Sequence, residues 1–314
     1  MRAVRVNEHQ VAVVDAPEPA GDGVLVRIAS AGICGSDLHM VDSMRLRATL
    51  GHEFAGFLPD GRLVAVEPLA ACRVCGPCRD GRPYHCELGL RMYGAAFDGG
   101  MAETCLVPEA TIVPIPTGVD PRDASLVEPL AVAVHAVRMA GPLAGSSVAV
   151  VGGGSIGLCL VPTLQAVGVT QVDVVARHDH QRAAAARLGA TSSEADVDRW
   201  DVVFDAVGTA DSLAQCVAMT RASGRVVIVG VYWDGTVPLP GMAVCFKEVR
   251  LLPSMMYGSE GPVRDFDLAA RLLAARPELG PTLITHRFPL DAAADAIACV
   301  RDREAGAIKV VLEP

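Results

Sequence analysis

Between Met139 and Val172 the chain carries no charged side chain, and four glycines, Gly152, Gly153, Gly154 and Gly157, interrupt the run. A membrane helix needs about 20 continuous apolar residues, and the glycines, Pro162 and the turn formers ahead of the run argue against one. A parallel strand covered on both faces, followed by a buried helix, accounts for it, because such strands read as continuous apolar segments. The same alternation continues downstream. The pattern predicts a helix over Glu128–Met139, with Pro129 in its first turn where a missing N–H costs nothing. It then predicts strand Val148–Val151, helix Ser155–Val167, strand Val172–Ala176, helix His180–Leu188, strand Val202–Ala206, helix Ser212–Arg221 and strand Arg225–Val231, with Arg250–Pro253 as a last strand. Alternating strands and helices imply right-handed crossovers and a parallel sheet.

Gly152-x-Gly154-x-x-Gly157 falls where the first of these strands turns into its helix. Gly152 permits a tight turn, Gly154 lets a pyrophosphate approach the backbone, and Gly157 lets helix pack on strand. The helix start at Ser155 and Ile156 then offers free N–H groups to phosphates. The motif in this context predicts a dinucleotide site. Pro162, inside the helix, lacks an N–H and is expected to kink it.

The chain before Glu128 has a different texture. Ala3–Val6, Val11–Val14, Val24–Ala29, Arg62–Glu67 and Glu103–Val107 have strand composition, separated by Asn, Asp, Pro and Gly. Within it Cys72, Cys75, Cys78 and Cys86 are spaced Cys-x2-Cys-x2-Cys-x7-Cys. A tetrahedral zinc takes four thiolates from such a run, and a short lobe rich in turn formers and charge is held together by it. The other cysteines are isolated and no secretory signal is evident, which disfavours disulfides and points to a reducing, cytoplasmic setting. After the alternation, Asp265–Ala275 and Ala292–Arg301 are expected to be helices and Ala307–Leu312 a strand.

Acids outnumber bases 36 to 27 and there is no basic run, which argues against a nucleic-acid partner. With 51% apolar and 20% charged residues, the 314-residue chain can bury two domain cores.

Two further segments carry ligand chemistry: Cys34-Gly-Ser-Asp-Leu-His39 and Gly51-His52-Glu53. Together they supply Cys, His and Glu, with Glu128 as a further candidate. Three protein ligands and an open position are the catalytic form of a zinc site.

Gly-Ile-Cys-Gly-Ser-Asp-Leu-His (32–39), Gly-His-Glu (51–53), the four-cysteine lobe, Glu128-Pro129-Leu130-Ala131 and Gly-Gly-Gly-Ser-Ile-Gly (152–157) occur in that order. This set resembles the zinc-dependent medium-chain dehydrogenase/reductase family, in its sorbitol, threonine and butanediol dehydrogenase branch, over nearly the whole chain. The resemblance implies an α/β protein: a GroES-like, β-rich catalytic domain (1–130, zinc lobe 72–86), a Rossmann, doubly wound parallel-sheet domain (131–260), and a C-terminal segment (261–314) returning to the first. It implies that Cys34, His52 and Glu53 hold a catalytic zinc. Glu128 would ligate directly, act through water or exchange with Glu53. Asp37 would orient the histidine, and Ser36 and His39 would relay a proton.

The implied activity is hydride transfer between a nicotinamide and a secondary alcohol, polyol or sugar, or the corresponding ketone. It comes with about two Zn²⁺ per chain, no membrane partner and a homo-oligomeric state, dimer or tetramer. The rival readings are a catalytically silent nucleotide-binding sensor and a zinc-binding regulatory protein. Only twelve residues separate His39 from His52, fewer than the family usually has, and the segment after Glu53 is also short, so a more open pocket is expected. An NAD-specific domain places an acid at the end of the second strand. Here Ala176 stands there, followed by Arg177 and His178. A missing carboxylate and a guanidinium fork favour a 2′-phosphate, so NADP is expected to be preferred, with NAD left open by nearby Asp179.

Overall fold

The computed structural model describes residues 1–7, 10–43, 48–192, 194–233 and 235–314. The chain forms two compact units, one of Met1–Ala131 with Tyr257–Pro314, the other of Val132–Met256.

The Val132–Met256 unit is built on a six-stranded parallel sheet. Its order is Thr191–Ser192, Val172–Val175, Val148–Val151, Trp200–Asp205, Thr220–Ile228 and Arg250–Pro253. In chain order that is 3-2-1-4-5-6, the doubly wound arrangement, with its switch point between Val148–Val151 and Trp200–Asp205. All four residues of Val148–Val151 are buried, as covered parallel strands require. The charge-free run is this strand together with the helix Ser155–Ala166. That helix continues through Pro162, and the Thr163 hydroxyl donates to the Cys159 carbonyl at 2.8 Å. Among the described residues no helix is long and apolar enough to cross a membrane.

The helix expected over Ser212–Arg221 differs from the sequence expectation at both ends. It covers Ala210–Met219, starting early because Thr209 and Ser212 form a reciprocal capping box, with Ser212 N–H donating to Thr209 Oγ1 at 3.1 Å. The next strand already begins at Thr220.

The other unit is centred on a seven-stranded sheet. Ile284–Pro289, Lys309–Glu313, Val24–Ile33, Glu53–Phe57, Leu63–Val66 and Ile112–Pro114 follow one another, with Thr104–Val107 also on Val24–Ile33. Val24–Ile33 is the long organiser, pairing antiparallel with three neighbours. Its core includes Leu50, Phe54, Val64, Met101, Val310 and Leu312, all essentially inaccessible. A hairpin, Arg2–Asn7 with Gln10–Asp15, also belongs to this unit. The short pair Leu69–Ala70 and Arg91–Met92 closes the base of the four-cysteine lobe.

Candidate metal centres and dinucleotide cradle

In the lobe the four sulfurs of Cys72, Cys75, Cys78 and Cys86 lie within 4.8 Å of one another. Cys72 Sγ and Cys78 Sγ are 3.8 Å apart. Bonds of about 2.3 Å to a tetrahedral zinc place sulfurs roughly 3.8 Å apart, so the cage fits that ion and no disulfide. Backbone N–H groups point at the sulfurs: Val74 and Cys75 donate to Cys72 at 3.4 and 3.3 Å, and Cys72 donates to Cys86 at 3.4 Å. These donors pull the Cys72 and Cys86 thiols down. Burial and its sulfur neighbours push Cys78 up to about 12.

The second cluster grows from the register of two strands. Glu53 lies opposite Gly32, which brings the end of Val24–Ile33, and so Cys34, beside His52. Gly51, at φ +96°, makes the turn into the second strand. The ligand atoms of Cys34, His52 and Glu53 lie within 4.8 Å of one another, with Cys34 half-buried and the other two buried. Asp37, in the helix Gly35–Ser43, is fully buried and accepts the Cys34 N–H at 2.8 Å. Its other oxygen faces His52 Nδ1 at 3.3 Å, without a well-aligned hydrogen bond. The contact turns Nδ1 toward the carboxylate and leaves Nε2 for a metal. Burial alone would lower the His52 pKa, but Asp37 and the Cys34 sulfur outweigh it and raise it well above the ordinary value.

Glu128 is buried near this cluster in the helix Val127–Ala140, outside the 4.8 Å set. Burial, opposed by His52 and assisted by Glu53, pushes its carboxyl up to about 8. Ser36 is half-buried and His39 exposed, three residues apart on the helix that carries Asp37. The short His39–His52 segment includes residues 44–47, which lie outside the described residues.

Two participants went unnoticed in the sequence. Lys309 is buried, and its Nζ donates to both Glu53 oxygens at 2.7 and 2.6 Å. Tyr257 is 1% exposed, its ring edge-on to Phe266 at 4.7 Å, and its hydroxyl has no hydrogen-bond partner among the described residues. Burial, then Glu128, Glu67, Glu53 and Cys34, raise its phenol far above the usual range. The only sequence signal for Lys309 is a lone charge opening an apolar strand; Tyr257 carried none.

The other unit holds the glycine turn. Gly152 adopts φ +108°, and a Cβ on Gly157 would lie 1.9 Å from the Gly152 carbonyl oxygen. Gly154 caps the helix without a side chain, and the first N–H bonded back to it is that of Leu158, at 2.9 Å. The N–H groups of Ser155, Ile156 and Gly157 therefore have no partner in the helix, as at any helix start. Ser155 Oγ is buried without a partner among the described residues. These donors fit an anion. Beyond the second strand, Ala176 and half-buried His178 flank exposed Arg177. His178 stacks on His180 at 5.4 Å. The Asp179 carboxylate is bound by Arg182, which also donates to the carbonyls of Ala176 and Arg177 at 2.9 and 3.0 Å.

Comparison with known proteins agrees with the two-part fold. Residues 20–117 match the alcohol dehydrogenase GroES-like domain and residues 122–313 the glucose dehydrogenase C-terminus. L-galactonate-5-dehydrogenase of Escherichia coli K12 is 33% identical over 304 residues, covering 87% of this chain and 86% of its own. D-xylulose reductase A of Aspergillus oryzae is 30% identical over 315 residues, covering 88% and 87%. A protein classed as a zinc-binding dehydrogenase from Sinorhizobium meliloti 1021, solved bound to NADP, superposes with a TM-score of 0.88 at 33% identity, covering 100% and 99% of the two chains. Galactitol-1-phosphate dehydrogenase from Escherichia coli superposes with a TM-score of 0.89 at 27% identity, covering all of both chains. The chain belongs to the zinc-dependent medium-chain dehydrogenase/reductase family. It is an oxidoreductase of the alcohol dehydrogenase type, built from a GroES-like domain and a Rossmann domain.

Proposed function

We propose that this enzyme interconverts a secondary hydroxyl and a ketone on a polyhydroxylated carbon chain, using zinc and preferring NADP. The observation that carries the reading is the convergence of Cys34, His52 and Glu53 on one point, with Asp37 holding two of them. The polyol class is supported by the relatives, which act on L-galactonate, D-xylulose and galactitol 1-phosphate by name. We take the unit of Met1–Ala131 and Tyr257–Pro314 as the catalytic domain and Val132–Met256 as the nucleotide domain.

Zinc held by Cys34, His52 and Glu53 supplies a Lewis acid that lowers the cost of removing the substrate hydroxyl proton. NADP supplies the hydride acceptor. Ser36 accepts the proton and passes it to His39, on the same helix and open to solvent. Asp37 fixes the His52 ring throughout. Glu128 serves the centre by direct ligation, through water or in exchange with Glu53. The four-cysteine lobe holds a second, structural zinc. Gly152, Gly154 and Gly157, with the N–H groups at Ser155 and Ile156, take the pyrophosphate, and Arg177 and His178 take the 2′-phosphate.

The test is turnover on a panel of aldonic acids, pentitols, hexitols and simple secondary alcohols, with each nicotinamide. Turnover of at least one polyhydroxylated compound, absent in Cys34→Ser, is expected. Tight NADPH binding with no turnover anywhere on the panel would replace the enzyme by a nucleotide sensor. Arg177→Ala should lower kcat/KM with NADP about tenfold or more and leave NAD unchanged; equal effects on both would remove Arg177 from the 2′-phosphate site.

The edge strand Arg250–Pro253 and the exposed Met242 and Phe246 support self-association as a homo-oligomer. Ten cysteines with no disulfide among the described residues support a cytoplasmic setting. Sedimentation as a monomer at micromolar concentration would remove the first of these.

A further inference from the structure

We infer that Lys309, together with Gly32, positions the Glu53 carboxylate for the metal. The inference rests on the reading of Cys34, His52 and Glu53 as ligands.

Lys309 opens the strand Lys309–Glu313, which lies between Ile284–Pro289 and Val24–Ile33. Its side chain is 3% exposed and that of Glu53 1%. Nζ donates to Glu53 Oε1 at 2.7 Å, to Oε2 at 2.6 Å and to the Ile33 carbonyl at 3.1 Å. An ammonium has three N–H donors, and all three are used. Gly32 lies on the strand between those of Lys309 and Glu53, under the path of the carboxylate. A Cβ there would lie 2.1 Å from Glu53 Oε2. Glu53 therefore reaches across a strand that leaves it room to a strand that pins it.

A fully buried ion pair is weak evidence for stability, since two apolar side chains of similar size serve as well or better. This pair has a different use. Two Glu53 lone-pair sites go to Lys309, and a carboxylate has about four, so a cation can share it. The ligand's orientation is fixed before any metal arrives, which is how partners behind a ligand raise affinity.

The choice of base fits that task. The chain has two lysines among its 27 basic side chains. The other, Lys247, is half-buried, pairs with Asp198 at 2.6 Å and donates to the carbonyls of Val217 and Ala218 at 2.7 and 3.0 Å. A compact ammonium reaches several acceptors around one point, which a planar guanidinium does not.

Charge and position predict opposite signs, and that makes the inference testable. The Lys309 ammonium repels a cation, so by charge alone Lys309→Met would bind zinc more tightly. Positioning predicts that it binds more weakly, by about 10- to 100-fold at the Cys34 centre. The experiment titrates Zn²⁺ alone into the full chain against a chromophoric chelator, with the cobalt-substituted absorption spectrum as a second readout. Gly32→Ala changes no charge and displaces the carboxylate by contact. It should lower affinity by tenfold or more and shift the cobalt bands. Unchanged or tighter zinc binding in a folded Lys309→Met would overturn the inference. Should that variant fail to fold, Gly32→Ala decides: zinc affinity within twofold of wild type overturns the inference, a loss of tenfold or more supports it. Glu53→Gln is the control for the underlying reading, because a chelator-labile zinc unaffected by it would mean that Glu53 is not a ligand at all.

Discussion

Replacing Gly154 and Gly157 by alanine, one at a time, separates what the glycine turn does for the fold from what it does for the nucleotide. A methyl on Gly157 would sit 1.9 Å from the Gly152 carbonyl oxygen and 2.9 Å from its carbon, both backbone atoms. Ordinary contact begins at 3.4 Å, so the helix Ser155–Ala166 must withdraw from the turn by about 1.5 Å. Overpacking of this kind costs about 1–3 kcal/mol, since no side chain can swing away. A domain of this size should lose roughly 3–9 °C in unfolding midpoint. Gly154 is the contrasting case. It has φ −78° and ψ −173°, open to any residue, and nothing lies within 4 Å of a Cβ built on it. Alanine gains a little by restricting the unfolded chain and loses a little as a poorer helix cap, so stability should stay within about 0.5 kcal/mol. Its methyl would still occupy the face a pyrophosphate must approach. NADPH affinity should fall about tenfold or more, which is about 1.4 kcal/mol. Thermal unfolding without nucleotide and NADPH fluorescence titration, on zinc-loaded protein, measure the two effects separately. Wild-type affinity in Gly154→Ala, or an unfolding midpoint in Gly157→Ala within about 1 °C of wild type, would refute the reasoning.

Wild-type protein should contain about two zinc ions per chain, the count of one closed and one open site. Elemental analysis of Cys34→Ser should find the lobe zinc kept and turnover gone, whereas Cys78→Ser should lose stability and solubility. A single zinc that survives in Cys34→Ser and vanishes in Cys78→Ser would leave the Cys34 centre unsupported. His39→Gln should slow alcohol oxidation most below neutral pH, with partial rescue by small added bases; an unchanged pH–rate profile removes it from the relay. Tyr257→Phe deletes a buried hydroxyl that has no hydrogen-bond partner among the described residues. Urea unfolding should show stability unchanged or raised by about 1 kcal/mol, and a loss of that size would reveal a bond the hydroxyl makes.

What could be read in advance follows the locality of the interactions. The Rossmann half was legible because its constraints are contiguous: strand Val148–Val151, the glycine turn and helix Ser155–Ala166 follow one another, and each glycine has a steric reason within a few residues. The four-cysteine lobe was legible for the same reason, its sulfurs spanning 72 to 86. Cys34, His52 and Glu53 were picked out as residue types, but what places them together is an antiparallel register that no local pattern displays. The strand Glu53–Phe57 reads Glu-Phe-Ala-Gly-Phe, and its glycine and acid hide it from propensity. Ile284–Pro289 hid in the same way, behind Thr, His and Arg.

Lys309 is the instructive miss. It is 256 residues from Glu53, and the strand Ala307–Leu312 expected there gave its one charge no reason to face inward. What the sequence could not show is the sheet order that brings its strand beside Val24–Ile33 and its ammonium to Glu53. A non-local clue was nonetheless present. When nearly every base in a chain is arginine, each lysine is a position where a point-like, fully bonded ammonium was a better fit than a fork. Read that way, a lone lysine in an apolar strand asks for a buried acid, and the Glu of a Gly-His-Glu ligand motif is an acid that burial would leave unpaired before a metal binds.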